Sequence, residues 1–125
     1  AADLLAQRVL GPVPGSCLLR VCAYSRPKED IETTAPGLIK WSNFDDNEGA
    51  FLMPSLDRVL SKRVVVVTCL MAAKLYHLGV PPGHFSHVVV DEAGHAEEPL
   101  TLAATAGLLA PDGRSRLVLA GDPQQ

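Results

Sequence analysis

The sequence predicts an α/β fold, a parallel sheet with helices on both faces, and three observations lead there. Short runs that are apolar throughout, "VVVV" at Val64–Val67 and "VVV" at Val88–Val90, have the length and β-branched character of strands buried on both faces. Segments rich in helix formers alternate with them and stop at glycine or proline. Polar residues follow three of the runs: Thr68, then Asp91 with Glu92, then Asp122 after Gly121. In open parallel sheets that carboxyl edge is where ligands bind.

Each element has its own justification. "AADLLAQRVL" carries Leu4, Leu5, Val9 and Leu10 at helical spacing and stops at Gly11-Pro12. The apolar run Cys17 to Tyr24 reads as a strand. Residues 25–50 show no sustained period and contain Glu29, Asp30, Glu32, Asp45, Asp46 and Glu48. They are expected to form a long, acidic, solvent-facing excursion in which "LIKWSNF" packs locally. "SLDRVLSKR" supplies one or two helical turns, and Val64–Thr68 a strand from the middle of the sheet. "LMAAKLYHLG" is a helix with Gly79 as a left-handed cap. "SHVVVD" is a strand, Glu97, Glu98 and Pro99 open a helix, and "RLVLAGD" closes the series as a strand.

Composition limits the function classes. With 125 residues and 47% hydrophobic content, the chain suits one domain or part of one, and a disordered tail is excluded. Eleven Lys and Arg against 14 Asp and Glu give a net charge of -3, so any nucleic-acid contact is local and not the work of a global basic field. Cys17, Cys22 and Cys69 have no metal-ligand spacing and read as reduced core thiols. No run approaches the roughly 20 apolar residues that span a bilayer. The absence of an initiating Met and the helix-like opening suggest a piece of a longer chain.

The chemistry concentrates in "HVVVDEAGH" at His87–His95. A charge at the exit of an apolar run is costly unless it has a task. Asp91 and Glu92 either cap the following helix or hold a cation and a water against a substrate. For the second task, magnesium takes oxygen ligands from one or two carboxylates plus phosphates, a role for Asp91, while Glu92 polarises the attacking water. Asp122 stands 31 positions later, about one helix plus one strand, which puts the two carboxylates on neighbouring strand ends. In "GDPQQ" the Gln125 amide both donates and accepts, as a reader of a terminal phosphate must.

"VVVDEAGH" followed after one helix by "LVLAGDPQQ" resembles the Asp-Glu box and the Gly-Asp-x-x-Gln box of superfamily 1 RNA helicases. Within them the chain is most similar to the Armitage-like group, named for the Moloney leukaemia virus 10 helicase. "AADLLAQRVL" resembles the end of that group's Ser-Asn-x-Ala-Ala-Asp segment, and "RVVVVTCLMAAKL" its Val-x-Thr-Thr-type segment. The resemblance implies part of a RecA-like P-loop NTPase domain over residues 1–125, the first motor domain of an ATP-dependent 5′-to-3′ RNA helicase. It implies ATP and Mg2+ as cofactors, with Asp91 serving the metal, Glu92 the attacking water, Gln125 the terminal phosphate, and Asp122 completing the nucleotide side. Ala1, Ala2, Asp3 and Thr68 would lie near the RNA backbone. The implied partners are single-stranded RNA and proteins of RNA silencing and mRNA decay, with no membrane, in the cytoplasm and its ribonucleoprotein granules.

The departures define what else to expect. His95 stands where the wider superfamily has Gln, and Cys69 where many relatives have a second Thr. No G-x-x-x-x-G-K-[ST] occurs, so the phosphate-cradling loop is expected before residue 1 and these residues alone are not expected to hydrolyse ATP. A non-catalytic scaffold and a DNA-acting helicase are the alternative functions. His77, His84 and His87 fit no zinc spacing, Trp41 with Phe44 suits a small satellite core, and Asp45–Glu48 suits a solvated turn.

Overall fold

The computed structural model describes residues 1–94 and 98–121. The chain divides into two compact units, Ala1–Thr68 and Cys69–Gln125. In the first unit the elements are α1 (Ala2–Val9), β1 (Leu18–Arg20), α2 (Lys28–Thr34), β2 (Phe44–Asp45), β3 (Ala50–Phe51), α3 (Leu56–Leu60) and β4 (Val64–Val66). In the second they are α4 (Cys69–Leu78), β5 (His87–Val90), α5 (Glu98–Ala106) and β6 (Arg116–Leu119). Each unit contains one parallel pair, β1 with β4 and β5 with β6, which is the pairing that alternating strands and helices require.

In the first unit β1 runs beside β4 with Leu18, Leu19 and Arg20 opposite Val64, Val65 and Val66. The ladder continues outward through Arg63 N–H to Cys17 O at 3.0 Å and Val21 N–H to Val66 O at 3.0 Å. Helix α1 lies against this pair, and its Ala2, Leu5 and Val9 pack on the buried cluster. The spacing of those residues is the helical stripe that the sequence shows.

Residues 25–50 fold, where the sequence predicted a solvent-facing excursion. Helix α2 follows Pro27, carries its acids Glu29, Asp30 and Glu32 outward, and buries Ile31. Ile31, Ala35 and Leu38, spaced by four and three residues, join Ala6, Leu18, Cys22, Phe51 and Val66 in one core. Burying side chains the size of Ile31, Leu38 and Phe51 contributes about 1.5–3 kcal/mol each toward offsetting the entropy of ordering this segment. The antiparallel pair β2 and β3 turns through Asp45–Gly49, where Asp45 Oδ1 accepts the N–H groups of Asn47 and Glu48 at 2.9 and 3.0 Å. Those turn residues from Asp46 to Gly49 are exposed.

Asn43 ties this segment to β1. Its carboxamide accepts Cys22 N–H at 2.7 Å and donates to Cys22 O at 3.0 Å and Leu52 O at 2.8 Å. A buried side chain thus satisfies backbone groups where the strand ladder stops, so the strand expected over Cys17–Tyr24 is cut to Leu18–Arg20.

In the second unit α4 packs on α5, and β5 lies in register with β6, His87 opposite Arg116 through Val90 opposite Leu119. Helix α4 ends as the sequence predicted. Gly79 has φ +109°, its N–H bonds Tyr76 O at 3.0 Å, and Val80 N–H reaches back to Leu75 O at 3.2 Å. That double closure, with Leu75 and Val80 both buried, is a Schellman cap. Strand β5 departs from the expected burial on both faces, because Val89 is exposed and only Val90 is buried, and Leu117, Val118 and Leu119 of β6 are exposed as well. Among the described residues no helix is long and apolar enough to cross a membrane.

Candidate functional site

The carboxylates singled out by sequence stand at the end of the β5–β6 pair. Asp91 follows the last residue of β5 directly, and its Oδ1 accepts the N–H of Glu92 at 3.0 Å. Glu92 has φ +55°, the one positive value at a non-glycine residue among those described. Such a left-handed residue costs of order 1–3 kcal/mol and persists only where its surroundings hold it. Here the hold is visible: Ala120 N–H bonds Val90 O at 2.8 Å, and Ala93 N–H bonds Ala120 O at 2.8 Å. The turn after β5 is therefore stitched to the end of β6.

Gly121 completes that stitch. A Cβ there would lie 3.3 Å from both Ala93 N and Gly94 N, so the closeness of the two strand ends favours a residue without a side chain. The predicted neighbourhood of the two strands is present, with Val90 opposite Leu119. Asp122, Gln125 and His95 lie outside the described residues.

Asp91 and Glu92 are both exposed, and neither takes part in an ion pair among the described residues. That is the condition a cation and a water need: oxygen ligands on a rigid strand end that no lysine or arginine already neutralises. No cluster of three or more His, Cys, Asp or Glu gathers among the described residues. Magnesium held by one or two carboxylates and by substrate phosphates requires no such cage, so the donor set fits that ion.

The residues expected near RNA fall in the first unit and are arranged differently from one another. Ala1 is exposed and its carbonyl accepts Leu5 N–H at 3.0 Å, while Ala2 packs on the core. Thr68 is exposed, just after β4. Asp3 is buried, and its carboxylate is already engaged. Arg20 Nε donates to Asp3 Oδ1 at 2.8 Å, Arg26 Nη1 donates to the same oxygen at 2.9 Å, and Arg26 Nη2 donates to Oδ2 at 2.5 Å. The hydrogen bond from Arg26 is the largest influence holding the Asp3 carboxyl down to about 2; burial opposes it and Arg20 assists. Any role of Asp3 at a nucleic acid thus passes through the guanidinium groups that it positions.

Sequence reasoning missed Arg20 and Arg26. Arg20 is buried within a strand and its Nη1 also donates to Val21 O at 2.6 Å and Val66 O at 3.3 Å, so backbone carbonyls support the buried ion beside its carboxylate partner. The available signal was a lone arginine inside "CLLRVC", which requires a buried carboxylate from elsewhere. Beside it, burial pushes the Cys22 thiol up, which keeps it protonated as a core group.

Comparison with known proteins places this geometry in a family. The family profile described as "AAA domain" matches residues 44–125. The helicase MOV-10 of Gallus gallus is 39% identical over 132 residues, covering 100% of this chain and 13% of that protein. RNA helicase Mov10l1 of Homo sapiens is 48% identical over 63 residues, 50% of this chain and 5% of the relative. The RNA helicase armi of Drosophila melanogaster is 43% identical over 63 residues, again 50% of this chain and 5% of the relative. The chain thus spans about an eighth or less of the length of the curated relatives it matches. No solved structure matches it significantly. With parallel strand pairs, flanking helices and an Asp-Glu turn at a strand end, the chain belongs to the AAA domain family as part of an α/β RecA-like domain, in the Armitage-like, MOV-10 group of superfamily 1 helicases.

Proposed function

We propose that the protein is an ATP-dependent RNA helicase that moves 5′-to-3′ on single-stranded RNA, with this chain forming part of its first motor domain. The observation that carries the reading is the exposed pair Asp91 and Glu92 in the turn after β5, neither in an ion pair among the described residues, with Glu92 held in a left-handed conformation by the end of β6. The family supports nucleotide use, and two of the relatives are named as RNA helicases.

In this reading Asp91 would hold Mg2+, and the ion, when bound with ATP, supplies charge neutralisation on the phosphates. Glu92 takes the proton of the attacking water. The two carboxylates thus divide the work, one binding and the other accepting a proton. Asp122 and Gln125 complete the nucleotide side, with Gln125 reading the terminal phosphate. Ala1, Ala2 and Thr68 lie toward the RNA, and Asp3 acts by fixing Arg20 and Arg26. The cellular setting that goes with this function is RNA silencing, RNA turnover and ribonucleoprotein remodelling in the cytoplasm and its granules, with proteins of those processes as partners.

The test uses the full-length protein with Mg2+ and ATP. Duplexes carrying a 5′ or a 3′ single-stranded tail, in RNA or DNA, are presented while ATP turnover and strand release are followed. The expected result is RNA-stimulated turnover and release from the 5′-tailed RNA duplex. Equal release from 3′ tails, or a preference for DNA tails, contradicts the assignment, and absence of turnover favours the scaffold reading.

A further inference from the structure

We infer that the first unit carries a second, local anion site, a cleft that takes phosphodiester groups of single-stranded RNA. The cleft has a volume of about 290 Å³ and is lined by Lys28, Ile39, Lys40, Ser42, Phe44, Asp46 and Arg58. Three cations from three separate elements, α2, the short 3-10 turn Ile39–Trp41 and α3, line it with one carboxylate. In a chain of net charge -3, whose residues 25–50 are rich in acids, that concentration runs against the composition.

The cations are also held in place before any ligand arrives. Arg58 Nη2 donates to Ser42 O at 2.8 Å, which anchors the guanidinium while leaving its other donors to a phosphate. Lys28 Nζ lies 5.0 Å from the centre of the Phe44 ring, and Lys40 Nζ 4.6 Å from that of Trp41. Both aromatic faces hold a charge at the cleft without neutralising it. Lys28 also meets Glu32 at 3.2 Å, but that pair is exposed on α2 and contributes little. Ring stacking of a base is not the expected mode, since Phe44 already meets Lys28 and the edge of Phe51 at 5.2 Å. Charges spread over three elements of an open cleft suit successive phosphates of a strand better than one phosphorylated side chain.

The inference rests on the RNA-helicase reading, and the experiment separates the two. RNA affinity of the full-length protein is measured on an unstructured single strand at several salt concentrations, for the parent, Lys28→Ala/Lys40→Ala, Lys28→Arg/Lys40→Arg and Asp46→Asn. Two lost phosphate contacts should lower the magnitude of the salt slope by about 1.4 for a single strand. The affinity gap between parent and double-alanine variant then narrows about sevenfold between 50 and 200 mM salt. The arginine variant should keep the parent slope, and Asp46→Asn should bind more tightly, a gain that loss of structure does not produce. A slope unchanged in the double-alanine variant overturns the inference, even if the cleft then proves to take a phosphopeptide. A parent that binds no RNA at all overturns both readings.

Discussion

Asp3 and Asp91 are both aspartates bordering an apolar element, and they have opposite surroundings. Asp3 is buried in the first unit, gripped by two guanidinium groups through both carboxylate oxygens. Asp91 is exposed at the end of β5 in the second unit, bonded to the N–H of the next residue and, among the described residues, to no cation. A carboxylate already neutralised by arginines organises structure; one left with unshared oxygens is available to a metal ion and a substrate. The difference teaches how to sort acidic residues beside strands: by what already neutralises them.

The largest structural effect should come from removing the Asp3 side of the comparison. Asp3→Ala leaves Arg20 buried without its partner, a change that costs about 3–5 kcal/mol. Hydrogen exchange of residues 18–26 in the full-length protein should quicken by two orders of magnitude or more, with residues 87–94 unaffected. Protection unchanged at 18–26 would show that the pair is dispensable.

Acid should reproduce part of that loss. The Asp3 carboxyl titrates near 2 in the fold against an ordinary value of 3.8. Because the folded value is depressed, the stabilisation is complete above the unfolded value and is lost as pH falls from about 4 through 2. It amounts to about 2 kcal/mol by linkage. In Asp3→Asn this acid sensitivity should be reduced, which comparison of the two exchange profiles between pH 5 and 2.5 reads directly.

A smaller effect tests how residues 25–50 are fastened. At Gly15 an added Cβ would fall 2.3 Å from Trp41 Cε2, so Gly15→Ala must displace the indole or the backbone. A cost of about 1–3 kcal/mol is expected, with faster exchange at residues 38–43. The smallest is Ser55→Ala, which removes the cap bond from Arg58 N–H to Ser55 Oγ at 3.2 Å and costs about 1 kcal/mol, confined to α3.

Legibility in the sequence followed the range of the interactions. The strands at Val64–Val66 and His87–Val90 and the Gly79 cap are set by local pattern and backbone freedom, and they were readable. Helix α2 was not, although Ile31, Ala35 and Leu38 have helical spacing, because the stripe is only three residues long and runs past the end of the helix. The Asp3–Arg20–Arg26 cluster joins residues 17 and 23 positions apart, and no local pattern announces such a pairing. The placement of Asp91 and Glu92 at the exit of a strand was legible, whereas the left-handed turn at Glu92 was not, since glutamate has no preference for that conformation.

The contrast between a neutralised and a free carboxylate is tested most directly by Glu92→Gln in the full-length protein. ATP turnover and nucleotide binding are measured side by side with Asp3→Asn as the structural counterpart. Glu92→Gln should bind Mg2+-ATP within a few-fold of the parent and keep the parent's exchange profile, while turnover falls by roughly 10²–10⁴. Turnover at the parent's rate in Glu92→Gln would contradict the account and return the Asp-Glu pair to a turn with no part in the chemistry.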